Sequence, residues 1–321
     1  MSDIKSDYYF IVNPRAGSGK TMYKWLPVEK RLEMLGISFV TEMTDHKRHA
    51  MELAWDAAGH GYRRIIAVGG DGSLHEVYNG VCKWCFAHGV PTEEFYIGVI
   101  PIGSGNDWIK SLGVSNDVDE ALDAVLGGGD LLMDVIRMKC DGGKSLYMTN
   151  VGGVGFDSHV CQRVNCQKES GKRGRYIYLN ALYHTIMNLH RINVSCYADD
   201  ELVFSGRCYS VAFGNGKYSG GGMRQVPLAD MNDGLIDYMI VPEISLMDIL
   251  KQVPRLFNGT LHKSDKVVCG QCKSFKMMPL DKDSADVIEL DGELVGRIPA
   301  NFEYTGQKIR VMKKADTCSR K

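Results

Sequence analysis

No uninterrupted apolar run in the 321 residues reaches the ~18 that a membrane-spanning helix needs, which argues against a helical membrane protein. The chain also lacks a block of like charge, a low-complexity tract and an internal repeat. Its 38 Lys and Arg against 39 Asp and Glu leave a formal charge of -1, which argues against a global attraction to nucleic acid. Residues 1–7 are polar, with acids at Asp3 and Asp7, so the expectation is an unsecreted, cytoplasmic chain. Ten cysteines are scattered along the sequence and include an isolated Cys318, a usage that fits reduced thiols better than a disulfide framework. What remains is ordinary for a globular protein, 44% hydrophobic and 24% charged, and excludes collagen-like, disordered and mini-protein classes. A chain of this length suggests two domains and buries roughly 75% of its surface without a metal or disulfide staple.

The first 130 residues alternate β-branched or aromatic runs with helical stretches. Strands are expected at 8–13, 37–43, 64–68 and 96–101, and helices at 21–35, 47–59, 74–87 and 118–126. That alternation predicts a parallel sheet covered by helices. The run Gly127-Gly128-Gly129-Asp130 reads as a helix stop and hinge. Beyond it strands dominate, at 131–138, 145–151, 192–198, 202–213, 235–241, 273–278, 287–290 and 308–313, with only two helices, at 175–189 and 246–257. The fold class expected is therefore α/β followed by β: an α/β domain at 1–130 and a mainly antiparallel β domain at 131–305. The segment 306–321 follows.

Three glycine-rich turns carry the chemistry. Asn13-Pro14-Arg15-Ala16-Gly17-Ser18-Gly19-Lys20-Thr21 follows a strand and precedes a helix, the context in which backbone N–H groups cradle phosphate. It is not a P-loop, because GxxxxGK[ST] needs glycine where Pro14 stands. Gly69-Gly70-Asp71-Gly72-Ser73 follows the apolar run 65–68, and Ser73 with Glu76 has capping-box spacing, which marks a helix start. Pro101-Ile102-Gly103-Ser104-Gly105-Asn106-Asp107 closes the next strand. Three such turns from one parallel sheet share its carboxyl edge, where open α/β folds bind ligands, and together they point to a nucleotide or polyphosphate.

Asp71 and Asp107 sit inside these turns, as Asp does in many plain turns. Asp134 lies inside an apolar run, where an acid is costly unless paired or coordinated. Hard divalent cations take such carboxylate oxygens.

In order along the chain, NPRAGSGK, GGDGS with Leu74-His75-Glu76, PIGSGND, NVGGVGFD (150–157) and ELDGE (289–293) resemble the diacylglycerol kinase catalytic-domain family, in its soluble bacterial lipid kinase branch. The match runs from about residue 8 to about residue 312. GGDG alone is shared with NAD kinases; the ordered set of five is specific.

The resemblance implies an ATP-dependent lipid kinase that acts at the inner face of the membrane, with diacylglycerol as the first choice of acceptor. Asn13, Pro14, Arg15, Ala16, Gly17, Thr44, Gly70, Asp71, Gly72, Ser73, Leu74, His75, Glu76 and Ser104 would then bind ATP. Asp71, Asp107 and Asp134 would share the catalytic magnesium and its waters. Asp230, Asp233 and the carbonyl of Leu235 match the spacing of the family's structural magnesium site, although Asn232-Asp233-Gly234 is turn chemistry by itself. Glu293 matches the general base, with Asp291 as the alternative. The family also suggests a homodimer, and a return of the 308–313 strand to the first domain. Ser73 and Ser104 stand where many relatives carry threonine, and His75 where they carry asparagine. The alternatives are a kinase of ceramide, a sphingoid base, monoacylglycerol or a polyprenol, an NAD-kinase-like enzyme for a soluble hydroxyl compound, and a non-catalytic nucleotide sensor.

Two further patterns complete the reading. Cys82-Lys83-Trp84-Cys85 and Cys269-Gly270-Gln271-Cys272 have the CxxC form of zinc or redox sites, but read more simply as ordinary thiols. Lys168, Lys172, Arg173 and Arg175 precede an aromatic helix carrying Tyr176, Leu179, Leu182, Tyr183, Ile186 and Leu189. The basic loop is a candidate contact with an anionic bilayer, and the helix is expected to pack on the β domain.

Overall fold

The computed structural model describes residues 5–103, 105–140, 145–170, 176–281 and 286–314. They fall into two compact units, Met1–Met133 with Gln307–Lys321, and Asp134–Gly306.

The first unit alternates strands and helices: β1 (Lys5–Val12), α1 (Ala16–Gly19), α2 (Thr21–Met34), β2 (Phe39–Met43), α3 (His49–Gly59), β3 (Tyr62–Gly69), α4 (Asp71–His88), β4 (Tyr96–Pro101), α5 (Asp107–Leu112) and α6 (Val118–Leu126). β2, β1, β3 and β4 pair side by side, all parallel. Phe10, Ile11 and Val12 of β1 and Ile65 to Val68 of β3 are all buried, as expected of strands covered on both faces. On α2 the cover is Trp25, Val28 and Leu32, which recur at helical spacing on one face. α6 begins where Asp117 accepts the N–H groups of Asp119 and Glu120, and it ends against Gly127.

β5 (Gly129–Cys140) opens a run of strands whose pairing is mainly antiparallel. The elements are β6 (Ser145–Met148), β7 (Val151–Gly155), α7 (Phe156–Glu169), α8 (Tyr176–Met187), β8 (Ile192–Ala198), β9 (Glu201–Gly214), β10 (Ile236–Pro242), α9 (Leu246–Asn258), β11 (Val268–Cys272), β12 (Ser274–Pro279), β13 (Val287–Leu290), β14 (Glu293–Arg297) and β15 (Ala300–Lys313). β9 is the hub of the second unit, pairing with β7, β8 and β10. Phe213, Phe275 and Phe302 meet in its core, the first and last with ring centroids 4.0 Å apart. In the first unit, the end of β15 pairs in parallel with β4, Arg310 opposite Tyr96, and Arg310 bonds Asp130 at 2.7 Å.

The structure corrects three expectations. The second unit holds a third helix, α7, which sequence periodicity hides because its fully buried apolar residues are only Val160 and Val164. The strand expected over 145–151 is two, β6 and β7, separated at Thr149 and Asn150. The strand expected at 308–313 is the end of a 14-residue one.

Candidate functional site

In the first unit the three glycine-rich turns pack into one another at the carboxyl ends of β1, β3 and β4. Asn13 closes the first with an Asx turn, its Oδ1 accepting the Arg15 N–H at 3.0 Å, and donates from Nδ2 to Ser73 Oγ of the second at 3.0 Å. Gly17, at φ +53°, lies so near the third turn that a methyl group there would sit 2.8 Å from the Ile102 carbonyl oxygen. A methyl on Gly103 would come within 2.8 Å of the Gly70 Cα. Only glycine permits these approaches, and they leave several backbone N–H groups and two helix amino ends on one edge.

The acids follow from this packing. Asp71 is the first residue of α4, and its Oδ1 accepts the Trp108 N–H at 3.4 Å, which brings it beside Asp107, the first residue of α5. Asp107 is buried and holds Lys110 Nζ at 2.5 Å. Thr44, also buried, donates its N–H to the Val12 carbonyl. His75 is buried on α4 beside Asn79, while Pro14, Arg15, Ala16, Gly72 and Leu74 lie in or next to the packed turns. Ser104 lies outside the described residues.

The capping box expected at Ser73 and Glu76 does not form. The helix begins three residues earlier, capped by Gly70 without a side-chain bond. Ser73 Oγ serves Asn13, and Glu76 Oε1 reaches out to the N–H of Arg48, a left-handed residue at the start of α3, at 3.0 Å. Tertiary partners outcompete the local one because α4 packs along α3.

In the second unit Asp134 is fully buried and braces the 230–235 turn. Its Oδ2 accepts the Gly234 N–H at 2.7 Å, and its own N–H donates to the Met231 carbonyl at 2.7 Å. Within that turn Asp230 Oδ1 accepts the Asn232 N–H and Asp233 Oδ1 the Leu235 N–H, each at 3.0 Å. Both carboxylates are exposed, and with the Leu235 carbonyl they make a set of hard oxygen donors, which suits magnesium.

The Asp291-Gly292-Glu293 turn joins β13 to β14. Asp291 is buried and left-handed, and both its carboxylate oxygens accept backbone N–H groups, from Thr149 at 2.9 Å and Asn150 at 2.8 Å. Glu293 is half-buried at the start of β14.

Sequence reasoning missed two acids next to this turn. Glu289 alternates with the buried Ile288 and Leu290, a pattern that puts it on a solvent face, yet α7 covers that face. Burial pushes its carboxyl well above the usual range, and the Gly292 N–H bonds it. Asp157 ends the NVGGVGFD motif; burial raises its pKa to about 6, against hydrogen bonds from Ser210 Oγ and Gln225 Nε2. The signal for Asp157 was an acid closing a glycine run ahead of a helix. Asp157 and Gln225 also line an apolar pocket whose walls include Leu182 and Ile186 of α8 and Ile249, Val253 and Leu256 of α9.

Neither CxxC pair joins a cluster of three or more His, Cys, Asp or Glu side chains among the described residues. Cys82 and Cys85 are buried on α4, which lifts the Cys85 thiol to about 12 and leaves it inert. On α8, Leu182 and Ile186 are buried, whereas Tyr176, Leu179, Tyr183 and Met187 are exposed. Lys172, Arg173 and Arg175 lie outside the described residues. No described helix is long and apolar enough to cross a membrane.

Two family models match the chain in tandem: the diacylglycerol kinase catalytic domain over residues 7–138, and the YegS C-terminal NAD kinase beta sandwich-like domain over 150–313. A diacylglycerol kinase of Staphylococcus carnosus (strain TM300) is 27% identical over 94% of this chain and 93% of its own length. One of Mycobacterium tuberculosis (strain ATCC 25618 / H37Rv) is 24% identical over 94% of each. Among solved structures, a diacylglycerol kinase of Bacillus anthracis str. Sterne shares the fold over 96% of both chains, with a TM-score of 0.69 at 18% identity.

Proposed function

This chain belongs to the diacylglycerol kinase catalytic-domain family of lipid kinases, and from that membership we propose that it transfers the γ-phosphate of ATP to the free hydroxyl of a diacylglycerol. The observation that carries the nucleotide part is the packing of the Asn13, Gly70 and Gly103 turns into one edge of the first unit. The residues assigned to ATP are Asn13 to Gly17, Thr44, Gly70 to Glu76 and Ser104. The lipid part is supported by the apolar pocket of the second unit, which suits acyl chains.

Glu293 is assigned as the general base. Its carboxylate takes the proton of the lipid hydroxyl as that oxygen bonds to the γ-phosphorus, and the bond to the β–γ bridging oxygen breaks to release ADP. Asp291 is the poorer candidate, because both its oxygens already accept backbone N–H groups. In the first unit Asp71 and Asp107 are assigned to a catalytic magnesium and its waters; in the second, Asp230, Asp233 and the Leu235 carbonyl are assigned to a structural one, with Asp134 bracing their turn. Magnesium, when bound, would neutralise charge on the phosphates. The exposed Leu246, Met247, Leu250 and Phe257 of α9 and Tyr176, Leu179 and Tyr183 of α8 are the apolar side chains offered to a membrane surface where the lipid is collected.

The test is incubation with magnesium and γ-labelled ATP against diacylglycerol, ceramide, a sphingoid base, monoacylglycerol and a polyprenol in mixed micelles, with NAD as a soluble control. Label in diacylglycerol is expected. Label in another lipid alone would move the acceptor, label in NAD alone would overturn the lipid reading, and no label with ATP still bound would favour a sensor.

A further inference from the structure

Apart from the residues assigned above, the second unit brings two imidazoles and a carboxylate together. His159 comes from α7, His190 from the segment between α8 and β8, and Asp286 from the residue before β13. One ligand atom of each lies within 4.8 Å of the other two. His190 Nε2 stands 3.5 Å from an Asp286 carboxylate oxygen, and the two imidazole centroids are 5.0 Å apart with the rings at 82°.

Two of these spacings are close to those a bound metal would require. Zinc holds histidine nitrogen and carboxylate oxygen at about 2.0–2.1 Å, so two ligand atoms on a tetrahedron are about 3.4 Å apart and two bound imidazole centroids about 5.2 Å. Both measured separations agree to within about 0.2 Å of those values. An ordinary ion pair needs only His190 and Asp286; it does not need a second imidazole turned edge-on to the first.

An independent observation comes from the neighbouring cavity, about 950 Å³ with its mouth, which His159 and His190 line together with Thr185. Thr185 is 2% exposed, and its hydroxyl has no hydrogen-bond partner among the described residues. Buried hydroxyls are rarely left so, and this one belongs to a residue that lines the same cavity as the two imidazoles. A zinc ion with three protein ligands keeps its fourth position for a water.

The geometry points to a zinc-class divalent metal site made by His159, His190 and Asp286, separate from the magnesium positions of phosphoryl transfer. Its role is a staple: it ties α7 and the segment after α8 to the start of β13, the strand that leads to the Asp291-Gly292-Glu293 turn. Arg163 lines the same cavity and Arg297 acts on Asp286 from nearby; these two cations keep the affinity moderate. The other cluster of this kind among the described residues, Asp45, His46 and His49, is exposed, and His49 Nδ1 is already engaged by the Asp45 N–H at 3.1 Å. It serves as the control.

Full-length protein stripped with a chelator would be titrated with cobalt(II), then with zinc in competition with a chromogenic chelator, and its thermal transition followed. One equivalent of cobalt with the visible bands of a tetrahedral nitrogen and oxygen site is expected, together with a zinc-dependent rise in Tm. His190→Gln and Asp286→Asn should each weaken zinc by at least about tenfold, and His46→Ala with His49→Ala should leave it unchanged. His190 and Asp286 are changed conservatively so that far-ultraviolet circular dichroism stays at the parent level. No binding by the parent protein would overturn the site. So would parent-level affinity in both variants, or a strong sulfur-to-cobalt band.

Discussion

The carboxylate of Asp291 accepts the backbone N–H of Asn150 at 2.8 Å, while its other oxygen takes that of Thr149 at 2.9 Å. This one side chain closes the gap between β6 and β7 and gives the two neighbouring acids of the turn different work. Glu293→Gln should lower kcat by about 10²–10⁴-fold while ATP still binds. Asp291→Asn turns an amide against a buried donor and should cost about 1–3 kcal/mol of stability. Kinetics together with urea unfolding separate the two, and an active Glu293→Gln enzyme would remove the base assignment.

Gly17 and Gly19 make a matched pair. Both have positive φ, +53° and +78°, but a methyl on Gly17 meets the Ile102 carbonyl and one on Gly19 meets nothing within 4 Å. Gly19→Ala should cost only left-handed strain, about 1 kcal/mol. Gly17→Ala should cost a further 1–3 kcal/mol, roughly, for the forced shift, and should abolish the thermal stabilisation that ATP confers. Equal losses in the two variants would show that the turns are not packed as described.

Asp157 sets a pH dependence. Its pKa rises from 3.8 to about 6 on folding, chiefly by burial, so between pH 4 and 6 the folded protein holds more protons than the unfolded one. Stability must then fall as pH rises through that window, by about 3 kcal/mol at most for this group. Asp237, raised to about 6 by its burial first, adds to the same trend. Urea titrations across pH 4–7 should show the negative slope, and Asp157→Asn should flatten it in part. A parent protein whose stability climbs steadily over that range would contradict the burial of these acids.

Because Glu76 Oε1 accepts the Arg48 N–H, Glu76→Ala should act on α3 and leave the start of α4 intact. Amide exchange is expected to quicken at Arg48 and through the first turn of α3, with a loss of about 1 kcal/mol in stability. Faster exchange confined to residues 71–74 would restore the capping box.

Much of the first unit was legible in the sequence. The uninterrupted apolar run at 65–68 requires a strand covered on both faces. Asp117 and Gly127 bracket α6 to the residue, and Gly-rich turns after successive strands place a phosphate edge. These are local signals, set by apolar period, capping and turn chemistry within a few residues.

The second unit was legible as antiparallel strands with two of its three helices, α8 and α9. Glu289 looked solvent-facing because nothing in VIEL announces α7 above it, and α7 itself carries too thin an apolar stripe to declare a helix.

Sequence alone determined which residues carry charge, which turns demand glycine, and the alternation of strands and helices in the first unit, because those follow from covalent chemistry and near neighbours. The tertiary structure decided what each carboxylate bonds. Asp291 finds its N–H partners 142 and 141 residues away, and Asp134 finds one 100 residues away. A carboxylate goes to whichever donor the folded chain brings within 3 Å, and no spacing along the sequence records that.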